Sequence, residues 1–144
     1  MPGTDQDEPR ARVEAYLGRV DARETLVGVI GMGYVGLPLA LAFVEAGFRV
    51  MGFDTDPEKV EKLNRGEGYI QHLQPERIRL AAQSGKLVAS SDLTRLGEPD
   101  TLLITVPTPL TRQREPAVAL AEAAAEIRTL LERTGLAGGA ADAR

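Results

Sequence analysis

Six residues, Gly31-Met32-Gly33-Tyr34-Val35-Gly36, constrain this chain more than any others do. The pattern G-x-G-x-x-G carries weight only in context, because a glycine-rich chain produces it by chance. The context is present. The apolar run Leu26-Val27-Gly28-Val29-Ile30 ends at Gly31 and reads as a strand buried on both faces of a parallel sheet. A helical pattern opens after Gly33 and runs over 34–46. There Pro38 falls early, where its missing N–H costs least, and Gly47 stops the helix. The next strand, 49–54, closes on an acid, Asp54, 18 residues beyond Gly36. Each glycine then has a task. Gly31 permits the tight turn, Gly33 lets the backbone approach a pyrophosphate, and Gly36 lets helix and strand pack closely. The helix N-terminus offers N–H groups and the positive end of its dipole to phosphates.

Asp54 sits where an acid would accept hydrogen bonds from the ribose hydroxyls of an adenosine. Its charge would repel a 2′-phosphate, and Thr55 and Asp56 supply no arginine to hold one. The pattern therefore predicts NAD rather than NADP. Asp56 before Pro57 reads as a helix cap, with Pro at the first helical position. Lys59, on the first turn of that helix, can lean over the adenosine edge or stand as a surface lysine.

The rest of the chain continues the alternation. The spacing of Val13, Leu17 and Val20 predicts a short amphipathic helix over 10–20. Further helices are expected at 57–64 and 75–83, a loop at 66–73, and strands at 87–90 and 101–106. Pro107 and Pro109 end the last strand. An Ala-rich helix over 118–133 carries the stripe Leu120, Ala124, Ile127 and Leu131. Residues 1–9 and 134–144 are expected to be disordered tails. Strands alternating with helices point to an α/β fold with a parallel sheet and helices on both faces.

Composition narrows the chemistry. The chain has 17 basic and 21 acidic side chains, a net charge of −4 and no basic run, which argues against nucleic acid as a partner. It holds no cysteine, so disulfides, thiolate zinc sites and a cysteine nucleophile are excluded within it. The one histidine, His72, lies in a loop with no acidic partner at useful spacing, and is read as structural or solvent-facing rather than as a base. A polar start to the chain and the lack of a long apolar run predict a soluble, cytoplasmic protein without membrane contact.

Val-Gly-Val-Ile-Gly-Met-Gly-Tyr-Val-Gly-Leu-Pro-Leu-Ala (27–40) and Gly-Phe-Asp-Thr-Asp-Pro-Glu-Lys-Val (52–60) resemble the N-terminal domain of the UDP-glucose/GDP-mannose dehydrogenase family. Leu-Asn-Arg-Gly-Glu-Gly-Tyr-Ile-Gln-His-Leu (63–73) and Val-Pro-Thr-Pro-Leu-Thr-Arg-Gln-Arg-Glu-Pro (106–116) are more similar to the bacterial UDP-N-acetylglucosamine 6-dehydrogenase branch than to the UDP-glucose branch. The resemblance covers about residues 10–133. It implies a Rossmann-like doubly wound parallel sheet, here incomplete, with about four strands in the order 3-2-1-4. It implies NAD as cofactor, contacted by Gly31, Gly33, Tyr34, Val35, Gly36, Asp54 and Lys59, and it adds Thr108. In that order the 101–106 strand lies beside the 26–30 strand across the topological switch, so the loop bearing Thr108 faces the glycine loop.

Such enzymes oxidise the C6 alcohol of a nucleotide sugar to a carboxylate with two NAD. A cysteine in a second, substrate-binding domain holds the intermediates. This chain has no such cysteine, no counterpart of the later strands and Ala117 where the family usually has an acid. No catalytic residue is therefore expected in it, and the isolated chain is expected to be inactive. A nucleotide sugar would be a partner only if the missing domain were supplied. A non-catalytic NAD-binding or partner-binding module, or one half of a split dehydrogenase, are the alternatives. The charged loop with Arg112, Arg114 and Glu115 is assigned no role. The free side of the 101–106 strand is apolar and unblunted, which predicts that the isolated chain either self-associates there or is marginally stable, with the 118–133 helix loosely docked.

Overall fold

The computed structural model describes residues 7–106, together with Ala125 and Thr129. In chain order the elements are helix α1 (Asp7–Asp21), strand β1 (Leu26–Ile30), helix α2 (Gly36–Glu45), strand β2 (Arg49–Phe53), helices α3 (Pro57–Asn64) and α4 (Pro75–Gln83), strand β3 (Leu87–Ser90) and strand β4 (Thr101–Ile104). A short 3-10 turn at Leu93–Gly97 lies between β3 and β4. The four strands form one parallel sheet in the order β3-β2-β1-β4, the expected α/β, Rossmann-like arrangement. The chain runs outward from β1 through β2 to β3. It then returns to the other side of β1, leaving a crevice at the C-terminal ends of β1 and β4.

Alternation along the strands divides the core. Val27 and Val29 of β1, Val50 of β2, and Leu87 and Ala89 of β3 pack with Leu37, Ala40, Leu41 and Val44 of α2, Val60 and Leu63 of α3, and Ile78 and Ala81 of α4. Met51 and Phe53 face the other way. They meet Leu96 of the 3-10 turn, with Leu26, Ile30, Leu93 and Leu102 partly buried around them. Among the described residues, that second face has only the β3–β4 connection over it. Asp92 caps the 3-10 turn, accepting the Thr94 N–H at 3.0 Å. Bonds from the Thr94 hydroxyl and N–H lower the Asp92 pKa.

Several boundaries differ from those the sequence pattern predicts. The first helix begins at Asp7 rather than at 10, and its stripe is not a core stripe. Val13 is 57% and Leu17 53% exposed, and only Val20 packs on the core. Polar contacts hold α1 instead. Arg19 donates twice to Asp100, at 2.9 and 3.0 Å, and Asp100 also accepts the Leu26 N–H at 2.8 Å. The Tyr16 and Thr101 hydroxyls hydrogen-bond to each other. Helix α2 starts at Gly36, two residues later than expected, because residues 33–35 form the turn that enters it. Strand β2 stops at Phe53, one residue before Asp54, and β4 stops at Ile104, although the Thr105 N–H still donates to the Ile30 carbonyl at 2.8 Å. Thr108, the 112–115 loop, most of the 118–133 helix and the 134–144 tail lie outside the described residues. Ala125 and Thr129 are helical, with the Thr129 hydroxyl bonded to the Ala125 carbonyl.

Candidate functional site

The glycine loop joins β1 to α2 at the edge of the crevice. Gly31 has φ +90°, a left-handed backbone that favours glycine, and its N–H donates to the Phe53 carbonyl at 2.7 Å. Gly36 is a close-approach position, since a Cβ there would overlap the Gly31 carbonyl oxygen. Gly33 differs from both. Among the described residues, nothing stands within 4 Å of where its Cβ would be, so its side faces open space. Tyr34 (78% exposed) and Val35 (66%) stand out from the turn. Val35 caps α2 with no side-chain acceptor, and Pro38 has no N–H to offer. Among the described residues, the N–H groups of Gly33, Tyr34, Val35 and Gly36 meet no acceptor. The positive end of α2 thus opens onto the crevice mouth, which suits an anion.

Met32, between the first two glycines, is fully buried. Its thioether lies over Gly52, where a Cβ would come within 2.7 Å of the sulfur. Its peptide groups are held by residues from three other segments. The Met32 N–H donates to Asp54 Oδ2 at 3.0 Å. The Tyr69 hydroxyl, from the loop after α3, donates to the Met32 carbonyl. The Thr105 hydroxyl, after β4, lies 2.8 Å from the Gly31 carbonyl and 2.9 Å from that of Ile30, donating its one hydrogen between them.

Asp54 occupies the tip of β2, as the sequence pattern predicts, with its side chain only 12% exposed. Its second oxygen, Oδ1, accepts the Asp56 N–H at 2.9 Å. Asp56 is a cap, as expected, with its carboxylate accepting the Glu58 N–H at 2.9 Å. Lys59 Nζ stands 3.9 Å from Asp54 Oδ2 and 5.8 Å from the centroid of the Tyr69 ring. Burial, and then the charges of Asp54 and Asp56, raise the Tyr69 pKa well above its ordinary value, so the hydroxyl stays protonated and keeps its role as donor. His72 is exposed, in keeping with a solvent-facing role.

The structure therefore brings together Gly31, Gly33, Tyr34, Val35, Gly36, Asp54 and Lys59, while Thr108 lies outside the described residues. Two contributors were not singled out from the sequence. Thr105 is one more position in an apolar strand, and Tyr69 lies in a loop with no periodic signal. Neither announces contact with residues dozens of positions away. Among the described residues no group of three His, Asp or Glu side chains is placed to hold a metal ion, and no helix is long and apolar enough to cross a membrane.

The profile of the UDP-glucose/GDP-mannose dehydrogenase family, NAD binding domain, matches residues 25–136. The chain belongs to this family. UDP-N-acetyl-D-mannosamine dehydrogenase of Salmonella typhi is 39% identical over 105 residues, 71% of this chain and 24% of the relative. UDP-N-acetyl-D-glucosamine 6-dehydrogenase of the same organism is 32% identical over 111 residues, 76% of this chain and 25% of the relative. Among solved structures, a UDP-glucose dehydrogenase from Pyrobaculum islandicum superposes with a TM-score of 0.66 at 28% identity, covering 77% of this chain and 26% of the other. The chain spans about a quarter of the length of the curated relatives it matches. What it shares with them is the NAD-binding domain of UDP-sugar dehydrogenases, so NAD is the cofactor of this domain.

Proposed function

We propose that the NAD pyrophosphate lies over Gly33, against the N–H groups at the start of α2. Gly31 and Gly36 shape the turn, and Tyr34 and Val35 flank the cofactor. Asp54 takes the adenosine ribose, Lys59 borders the adenosine edge, and Thr108 approaches from the loop after β4. The observation that carries this reading is the open side of Gly33 beside N–H groups that meet no acceptor and next to Asp54. Both Asp54 oxygens already accept a backbone N–H, yet each keeps a lone pair for a ribose hydroxyl. Bound there, NAD supplies a hydride acceptor. This chain's own residues bind and orient it.

The relatives' names point to a UDP-linked N-acetylhexosamine as the sugar, oxidised at C6 to a carboxylate when a substrate domain and its cysteine are supplied. With no cysteine of its own, the isolated chain turns over no UDP-sugar, and a cytoplasmic location is part of the same reading. Calorimetric titration with NAD and NADP tests the cofactor assignment. NAD binds more tightly, and Gly33→Val, which folds because its side chain meets open space, binds neither. A folded Gly33→Val with the parent's NAD affinity contradicts the reading. So does a preference for NADP.

A further inference from the structure

The first x of the glycine motif is held in a way that the motif does not explain. Two successive peptide groups are involved, 31–32 and 32–33. Among the described residues none is cis, and in a trans peptide C=O and N–H point in opposite directions. The first group is pinned at both ends: the Gly31 carbonyl accepts from the Thr105 hydroxyl at 2.8 Å, and the Met32 N–H donates to Asp54 at 3.0 Å. The second is pinned at one end only. The Tyr69 hydroxyl donates to the Met32 carbonyl, so the Gly33 N–H of the same peptide is directed away from Tyr69, and among the described residues it has no acceptor. Burial of the Met32 side chain over Gly52 keeps the loop from rolling about its own axis.

We propose that Tyr69 is a positioning residue for the cofactor. By holding the Met32 carbonyl it sets the Met32–Gly33 peptide, and with it the Gly33 N–H and the entry to the 33–35 turn, for the pyrophosphate before any ligand arrives. Lys59, beside both the Tyr69 ring and Asp54, packs the clamp from outside. The gain is preorganisation. A loop already in its binding geometry loses less freedom when the anion arrives. The proposal rests on reading this loop as the NAD site.

Tyr69→Phe removes the hydroxyl and keeps the ring. In the free protein the Met32 carbonyl-carbon NMR signal moves upfield and the Gly33 amide signal shifts. NAD binds about five- to tenfold more weakly, the scale of one lost hydrogen bond, while adenosine, which has no pyrophosphate, keeps its affinity. A purely structural role for Tyr69 would weaken NAD and adenosine alike, and that result overturns the proposal. An unchanged Met32 carbonyl signal overturns it too. If the parent chain binds no NAD, the cofactor reading fails, and the Met32 signal still decides whether Tyr69 sets this peptide. If Tyr69→Phe does not fold, the parent decides. A slowly exchanging Tyr69 hydroxyl, read from the deuterium isotope effect on its Cζ signal, supports the clamp, and a freely exchanging one overturns it.

Discussion

The crevice end of β1 and β2 and the outer side of β4 belong to one sheet, yet different kinds of contact hold them. At the crevice, Gly31, Met32 and Gly36 of the glycine loop are fixed by backbone geometry or by a bond from a distant segment. Gly31 bonds to Phe53, Met32 to Asp54 and Tyr69, and Gly36 sits against Gly31 itself. On the β4 side, Leu102 and Leu103 are only half-buried and Ile104 is 48% exposed. Helix α1 is held there through Arg19, Asp100 and Tyr16 rather than through its apolar stripe. The contacts that hold the glycine-loop corner therefore all lie within residues 31–105. The β4 side, among the described residues, is tied by a few polar latches.

Substitutions can break this contrast. The largest effect is expected at Gly36→Ala. The new Cβ meets backbone that cannot move without opening the β1–α2 turn, at a cost of about 3 kcal/mol in thermal or urea unfolding. A variant as stable as the parent would show that the turn is loose. Next, we propose that the side of β4 left unpaired among the described residues pairs with a second copy, so that sedimentation shows association rising with concentration. Ile104→Lys should weaken it by about tenfold or more. A parent chain that stays monomeric at high concentration contradicts that pairing.

Asp100→Ala should cost about 1 kcal/mol, because the Leu26 N–H loses its acceptor. Its pH dependence has a definite sign. The Leu26 N–H, first, and the Arg19 guanidinium lower the folded-state Asp100 pKa. Its contribution is therefore complete above the ordinary aspartate pKa and is lost as pH falls through the lowered one. Asp100→Asn should flatten that part of the acid limb of the stability curve, and an unchanged limb would remove Asp100 from the account. The smallest effects belong to Val13→Ser and Leu17→Ser, each within about 0.5 kcal/mol because both side chains are already exposed. A larger loss would mean that the stripe is covered after all.

How far the sequence spoke differs between these regions for physical reasons. The parallel α/β alternation and the corner at Gly31, Gly36 and Asp54 were legible, because a strand, a constrained turn, a helix and a second strand follow one another with short local spacings; the order of the strands came from the family resemblance. The cap at Asp56 was legible for the same reason. Helix α1 was half-legible. A spacing of four and three residues marks a helix, but it does not say whether the stripe meets the core, and here only Val20 does. The 3-10 turn at Leu93–Gly97 is shorter than any periodic signal can mark. Tyr69 and Thr105 were illegible because their roles are set by contacts 37 and 74 positions away along the chain. The bond from the Met32 N–H to Asp54 was hidden too, since an acid at a strand tip predicts a ligand contact before it predicts a bond to Met32.

We propose that the glycine-loop corner is the NAD site and stands ready before NAD arrives. Amide chemical shifts of the uniformly labelled chain, followed through a titration with NAD, test it most directly. Saturable shifts centred on Gly33, Tyr34, Val35, Gly36 and Asp54 are expected, with the Met32 carbonyl already at its bonded position in the free chain. Saturable shifts centred elsewhere, such as along β4 or on the α2–α4 side, or a Met32 carbonyl that reaches its bonded position only on adding NAD, would contradict it.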